Sequence, residues 1–210
     1  MIDFILSLLF PPKCPYCSKT ISRNLTECSV CKAQFPEIPK IKPLPSGEIC
    51  VAPFFYDTAV RNAIINYKFK GKKFNAKSFA IAVCNDVEQV YKVTDFEIVA
   101  CVPLSAERQR ERGFNQSEIV AEKIAQYFKK PYEPLLKKTK NNSEQHKLSA
   151  KEREKNVTGV YSVIDEEKVR GKKILLIDDV ATTGNTLAEC CRTLKNSGAD
   201  KILCAAIATA

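Results

Sequence analysis

Residues 174–186 read ILLIDDVATTGNT. The apolar run Ile174–Ile177 leads straight into two neighbouring carboxylates, Asp178 and Asp179. A turn of small and hydroxylated residues follows (Ala181, Thr182, Thr183, Gly184, Asn185, Thr186) and opens a helical pattern. Carboxylates delivered by a buried strand can accept hydrogen bonds from sugar hydroxyls or face a metal. The amides and threonine hydroxyls of a tight turn suit a phosphate, because unpaired N–H groups and the helix dipole both favour an anion there. Gly184 allows close backbone approach. This order of parts builds a site for a sugar phosphate. The chain carries no GxGxxG, which removes the dinucleotide fingerprint, and neither GxxxxGKS nor GxxxxGKT, which removes the Walker loop.

A second cluster follows Val102-Pro103-Leu104-Ser105. Arg108, Arg110 and Arg112 place three guanidiniums close behind an apolar strand. Guanidinium pairs bidentately with phosphate oxygens, so a pyrophosphate is a natural partner. Charge alone equally describes a solvated turn in which Glu107 and Glu111 neutralise two of the three.

Cys14-Pro-Tyr-Cys17 and Cys28-Ser-Val-Cys31 are two CxxC pairs separated by ten residues. Each pair can bend so that both sulfurs meet one ion, and two pairs complete a tetrahedral all-thiolate zinc site. Four thiolates leave no open position for water, so the zinc is structural. A segment of about 45 residues has too little core to fold without such a staple.

The elements that position these groups alternate. Ile49–Tyr56 reads as a strand, Thr58–Tyr67 and Asn75–Tyr91 as helices, and Phe96–Pro103 as a buried strand. Val120, Ala121, Ile124, Ala125 and Phe128 give helical spacing over Asn115–Phe128. Short strands are expected at Leu135–Lys137 and Val160–Ile164, on either side of a polar stretch, Thr139–Lys155. Strand Ile174–Ile177, helix Asn185–Asn196, a stop at Ser197-Gly198 and strand Ile202–Ala208 complete the pattern. Such alternation predicts an α/β fold with a mostly parallel sheet covered on both faces and ligands at the carboxyl ends of its strands. Pro36, Pro39, Pro43 and Pro45 argue against regular structure before Gly47. The chain therefore divides into a cysteine module, 1–46, and an α/β domain, 47–210.

The 210-residue chain is 45% hydrophobic, enough for one full core and a small appendage. Its net charge of +9 attracts polyanions, whether phosphorylated small molecules or nucleic acid. Met1–Phe10 is apolar, but Asp3 replaces the basic start of a signal peptide, and Phe4–Phe10 is too short to span a membrane. It reads as a helix packed on the body of a cytoplasmic, reduced protein that inserts in no membrane. The six cysteines outside the CxxC pairs are then small core residues.

DDVATTGNT after an apolar strand resembles the 5-phosphoribosyl-1-pyrophosphate (PRPP) signature of type I phosphoribosyltransferases. By that resemblance Asp178 and Asp179 meet the ribose hydroxyls, and Ala181–Thr186 cradle the 5-phosphate. VPLSxxRxRERGFNQ, the preceding cysteine quartet, Tyr67-Lys68-Phe69-Lys70-Gly71, and Gln145, Leu148, Arg153, Asn156, Val157 and Gly159 together resemble the ComF family of competence-associated, phosphoribosyltransferase-like proteins. The likeness runs over nearly the whole chain. It implies a pyrophosphate-binding turn after Pro103 (Leu104, Ser105, Arg108, Arg110, Arg112), assisted by Lys68 and Lys70. It also implies a mobile loop bearing Gln145, Arg153 and Asn156, Mg²⁺ held chiefly by PRPP, and a role with single-stranded DNA and other DNA-uptake proteins. One departure stands out. Purine salvage enzymes carry a carboxylate general base at the fifth position of the signature, where this chain has Thr182, and a hydroxyl is a poor base near neutral pH. An enzyme of this kind needs an acceptor that requires no such base. The lone histidine, His146, has no partner evident in the sequence and reads as incidental.

Overall fold

The computed structural model describes residues 12–22, 25–35, 38–69, 75–139 and 159–210. After a short helix α1 (Ser29–Lys32) come β1 (Lys40–Pro43), β2 (Ile49–Ala52), β3 (Phe54–Phe55), α2 (Thr58–Phe69), α3 (Asn75–Val90), β4 (Ile98–Cys101), α4 (Ala106–Arg112), α5 (Gln116–Phe128), β5 (Leu136–Lys138), β6 (Tyr161–Val163), β7 (Lys173–Ala181), α6 (Asn185–Asn196) and β8 (Lys201–Thr209). The main sheet runs β1-β2-β8-β7-β4, with β3 also pairing to β8. Every pairing in it is parallel except β1 with β2. β5 and β6 form a separate antiparallel pair.

The central strand explains the two-sided core. Leu175 and Ile177 on β7 pack into a cluster with α2, α3 and α5, while Ile174 and Leu176 join a second cluster with α6 and the β5–β6 pair. A strand buried on both faces is a continuous apolar run, which is what this segment spells. The cysteines outside the quartet (Cys50, Cys84, Cys101, Cys190, Cys191, Cys204) are all buried in these clusters, as expected of small core residues.

Several expectations are corrected. The proline-rich passage contains β1, because Lys40–Lys42 extend between prolines and Pro43 closes an edge strand, where a missing donor is tolerated. Ile49–Tyr56 is not one strand but two, broken at Pro53. Pairing with β8 carries β7 four residues past Ile177 to Ala181, so Asp178 and Asp179 sit within the strand and not beyond it. The segment after Pro103 is a helix, α4, not a turn. The Ser105 hydroxyl caps it by accepting the Arg108 N–H, and Gly113 ends it at φ +73°. The Met1–Phe10 helix lies outside the described residues.

Candidate functional site

A cleft of about 600 Å³ opens at the carboxyl ends of β4 and β7. Asp178, Asp179, Ala181, Thr182, Thr183, Gly184, Asn185 and Thr186 line one side, and Leu104, Ser105, Arg108, Arg112 and Lys68 also face it. Arg110 is exposed and lies outside the lining. Lys70, Gln145, Arg153, Asn156 and His146 fall outside the described residues.

The two acids are differently placed. Asp178 is only 8% exposed. Its Oδ1 accepts the Asp179 backbone N–H at 2.7 Å and the Ser117 hydroxyl at 3.4 Å. Burial, and then the neighbouring Asp179 charge, push its carboxyl up to about 7. Asp179 pairs with Lys68 on α2, Nζ to Oδ1 2.7 Å.

The turn that follows is held from behind. Gly184 has φ +78°, and a Cβ there would lie 2.8 Å from Leu44 Cδ2. The glycine therefore permits close approach to the loop after β1, not only to a ligand. From Gly184 the chain enters α6, whose N-terminal amides open on the cleft beside Asn185 and Thr186.

The RERGFNQ stretch is legible residue by residue. Phe114 is buried beneath the α4–α5 junction. Asn115 caps α5 by accepting the Ser117 N–H and donates to the Val102 carbonyl. Gln116 accepts Arg112 Nη1 at 2.7 Å, and the Arg112 guanidinium lies 4.7 Å over the Phe69 ring. The motif thus fixes Arg112 in the cleft wall. Sequence reasoning missed Tyr56, Arg61, Ile65, Lys138 and Tyr161, which line the cleft together with Phe69. Lys138 sits just before the polar stretch, as the last residue of β5, one position beyond the expected end of that strand at Lys137. Burial, then the charge of Arg108, lowers its ammonium pKa.

The four CxxC sulfurs lie within 4.8 Å of one another, with Cys17 and Cys28 3.6 Å apart. A tetrahedral zinc with Zn–S of about 2.3 Å spaces its sulfurs about 3.8 Å apart, so the donor set and its spacing fit that ion. The Cys31 N–H donates to Cys28 Sγ at 3.4 Å, and this bond foremost brings the Cys28 thiol down to about 7. Between the first two cysteines, Tyr16 packs its ring 4.6 Å from Phe35 and 5.6 Å from Phe54, and so joins the module to the sheet. The Ser78 hydroxyl, on α3, donates to the Thr26 carbonyl at 2.6 Å.

Residues 115–210 match the phosphoribosyl transferase domain family. Competence protein ComFC of Streptococcus pneumoniae is 33% identical over 190 residues, covering 90% of this chain and 77% of that protein. The chain belongs to the ComF family. Competence protein F of Haemophilus influenzae is 26% identical over 197 residues, 91% of this chain and 82% of that protein. DNA utilization protein YhgH of Escherichia coli K12 is 26% identical over 195 residues. Among solved structures, the glutamine PRPP amidotransferase of B. subtilis overlaps 67% of this chain and 30% of its own, at 19% identity and a TM-score of 0.45. The ComF chain thus carries a phosphoribosyl transferase domain, matched over residues 115–210, and a four-cysteine cluster near its N-terminus. Among its described residues no helix is long and apolar enough to cross a membrane.

Proposed function

We propose that the cleft binds PRPP with Mg²⁺ and that the chain serves natural competence, handling single-stranded DNA in the cytoplasm beside other DNA-uptake proteins. The observation that carries the PRPP reading is the meeting, in one cleft, of an acid pair with one member buried, a phosphate-type turn at a helix N-terminus, and the cations Arg108, Arg112 and Lys138. Asp178 and Asp179 accept from the ribose hydroxyls. Ala181–Thr186 bind the 5-phosphate through amides and hydroxyls. Leu104, Ser105, Arg108 and Arg112 line the pyrophosphate side. The assignment of Lys70, Gln145, Arg153 and Asn156 to the site rests on the motif likeness alone. Bound Mg²⁺, held chiefly by the ligand's own oxygens, supplies charge neutralisation to the pyrophosphate. Zinc on Cys14, Cys17, Cys28 and Cys31 is structural, and of the expected module 1–46, strand β1 is shared with the sheet of the domain 47–210.

The cations on the pyrophosphate side also favour transfer. As an acceptor takes the anomeric carbon, the bond to pyrophosphate breaks, and Arg108, Arg112 and Lys138 receive the departing charge. Thr182 in place of a carboxylate points to an acceptor that loses no proton to this loop.

Calorimetry with PRPP and Mg²⁺ tests the reading. Binding is expected to the wild type and not to Asp178→Asn/Asp179→Asn, and no heat with wild type overturns it. For the DNA role, a salt-dependent shift of single-stranded DNA is expected to survive the double substitution.

A further inference from the structure

We infer that Lys68 is a positioning residue for Asp179 and not a ligand of the pyrophosphate, an inference that rests on the PRPP reading above. The sequence places Lys68 among cations of the pyrophosphate side, and the geometry assigns it elsewhere. Lys68 lies in the last turn of α2, and both of its neighbours are fixed. Tyr67 is fully buried, and its hydroxyl donates to the Gln116 carbonyl at 2.8 Å. Phe69 lies under the Arg112 guanidinium. With the helix end held to the α4–α5 junction in this way, Lys68 reaches β7 and meets Asp179 at 2.7 Å. The two side chains are 16% and 14% exposed, so the pair is largely shielded and stronger than a surface ion pair.

That shielding matters because of what stands next to Asp179. Asp178 is buried and adjacent, and two carboxylates in such a site compete for a proton unless a cation offsets one of them. Lys68 offsets it, and so keeps an acceptor ready for ribose hydroxyls before any ligand arrives. To bind pyrophosphate, the same ammonium would abandon Asp179 and leave the acid pair with no ion-paired cation among the described residues, only the longer-range charge of Arg112. Arg108, Arg112 and Lys138 already supply cations to the cleft.

Ligand fragments separate the two roles. Wild type, Lys68→Met and Lys68→Arg are titrated with PRPP, ribose 5-phosphate and inorganic pyrophosphate, each with Mg²⁺, after melting curves confirm that each variant folds. In Lys68→Met, ribose 5-phosphate and PRPP are expected to weaken by the same factor, about tenfold or more, the scale of one lost hydrogen bond to a charged group. Pyrophosphate is expected to change less than about twofold, and Lys68→Arg to recover most of the loss. Should Lys68→Met fold poorly, Asp179→Asn and its double with Lys68→Met carry the test. The two are expected to bind ribose 5-phosphate equally weakly, because the lysine acts only through the acid. A Lys68→Met defect that falls on pyrophosphate and spares ribose 5-phosphate overturns the inference alone. Failure of wild type to bind PRPP overturns the earlier reading with it.

Discussion

The four-cysteine module and the cleft take their order from opposite sources. Around Cys14–Cys31 there is little apolar mass, and a few contacts tie the module to the core: the rings of Tyr16 and Phe35 on Phe54, and the Ser78–Thr26 hydrogen bond. There, four cysteine sulfurs within 4.8 Å of one another stand where an ion would gather them, and the proposed zinc is what would set the shape. The cleft hangs on β7, which is buried on both faces and paired on both sides, so its side chains are aimed by the sheet whether or not a ligand is present. A module of the first kind is all-or-none in its metal. A site of the second kind is graded, each residue adding or removing its own share.

The sharpest way to break that contrast is Cys14→Ser. It is expected to lose the zinc and to unfold the module, since structural zinc contributes roughly 10–16 kcal/mol in comparable small domains. Metal analysis that still finds about one zinc per chain in this variant would contradict the assignment of Cys14 to a four-thiolate site. Next in size is Tyr16→Ala, expected to cost about 3–5 kcal/mol as a large ring leaves the core. Tyr16→Phe is expected to be neutral or slightly stabilising, because the buried hydroxyl has no hydrogen-bond partner among the described residues. Denaturant melts of the pair measure both.

On the cleft side, Gly184→Ala sets a Cβ against Leu44 at positive φ and is expected to cost about 1–2 kcal/mol while weakening PRPP. Asp178→Asn isolates the buried charge. The Asp178 carboxyl is raised from 3.8 to about 7, so the folded chain keeps a proton that the unfolded chain gives up. Wild-type stability therefore falls as pH rises across that window, and the variant is spared the loss. Without ligand or divalent cation, the melting temperature of Asp178→Asn is expected to gain on wild type from pH 5 to pH 8. A gain that shrinks over this range would contradict the burial argument. The smallest effect is expected of Arg110→Ala, whose side chain lies outside the cleft lining, and titration with PRPP should barely register it.

Much of this was legible in the residues because local rules and tertiary structure agree. The strand-to-turn run at Ile174–Thr186, the bounds of α6 and the cysteine spacing are local signals that the sheet and the cluster reinforce. What the sequence hid is tertiary. Nothing near Arg110 or Arg112 says which of them faces the cleft; that follows from Gly113 ending α4 and from Gln116 and Phe69 holding Arg112. Lys138 reaches the cleft only because β5 and β6 pair beside α4. Lys68 read as one more basic residue, and its partner lies on a strand more than a hundred positions away. The prolines before Gly47 masked β1, whose pairing with β2 is settled across a loop and not by propensity.

That edge strand has a practical bearing on how the molecule can be cut. β1 reads Lys-Ile-Lys-Pro, with charge and a proline on the outermost rim of the sheet, the residues that discourage one molecule from adding to another. Cutting at Gly47 to isolate the larger unit strips that rim and bares β2, whose Ile49-Cys50-Val51-Ala52 backbone would then be free to recruit strands from neighbouring molecules. A cut placed before Lys40 keeps the rim in place and gives the α/β body its best prospect of staying monodisperse.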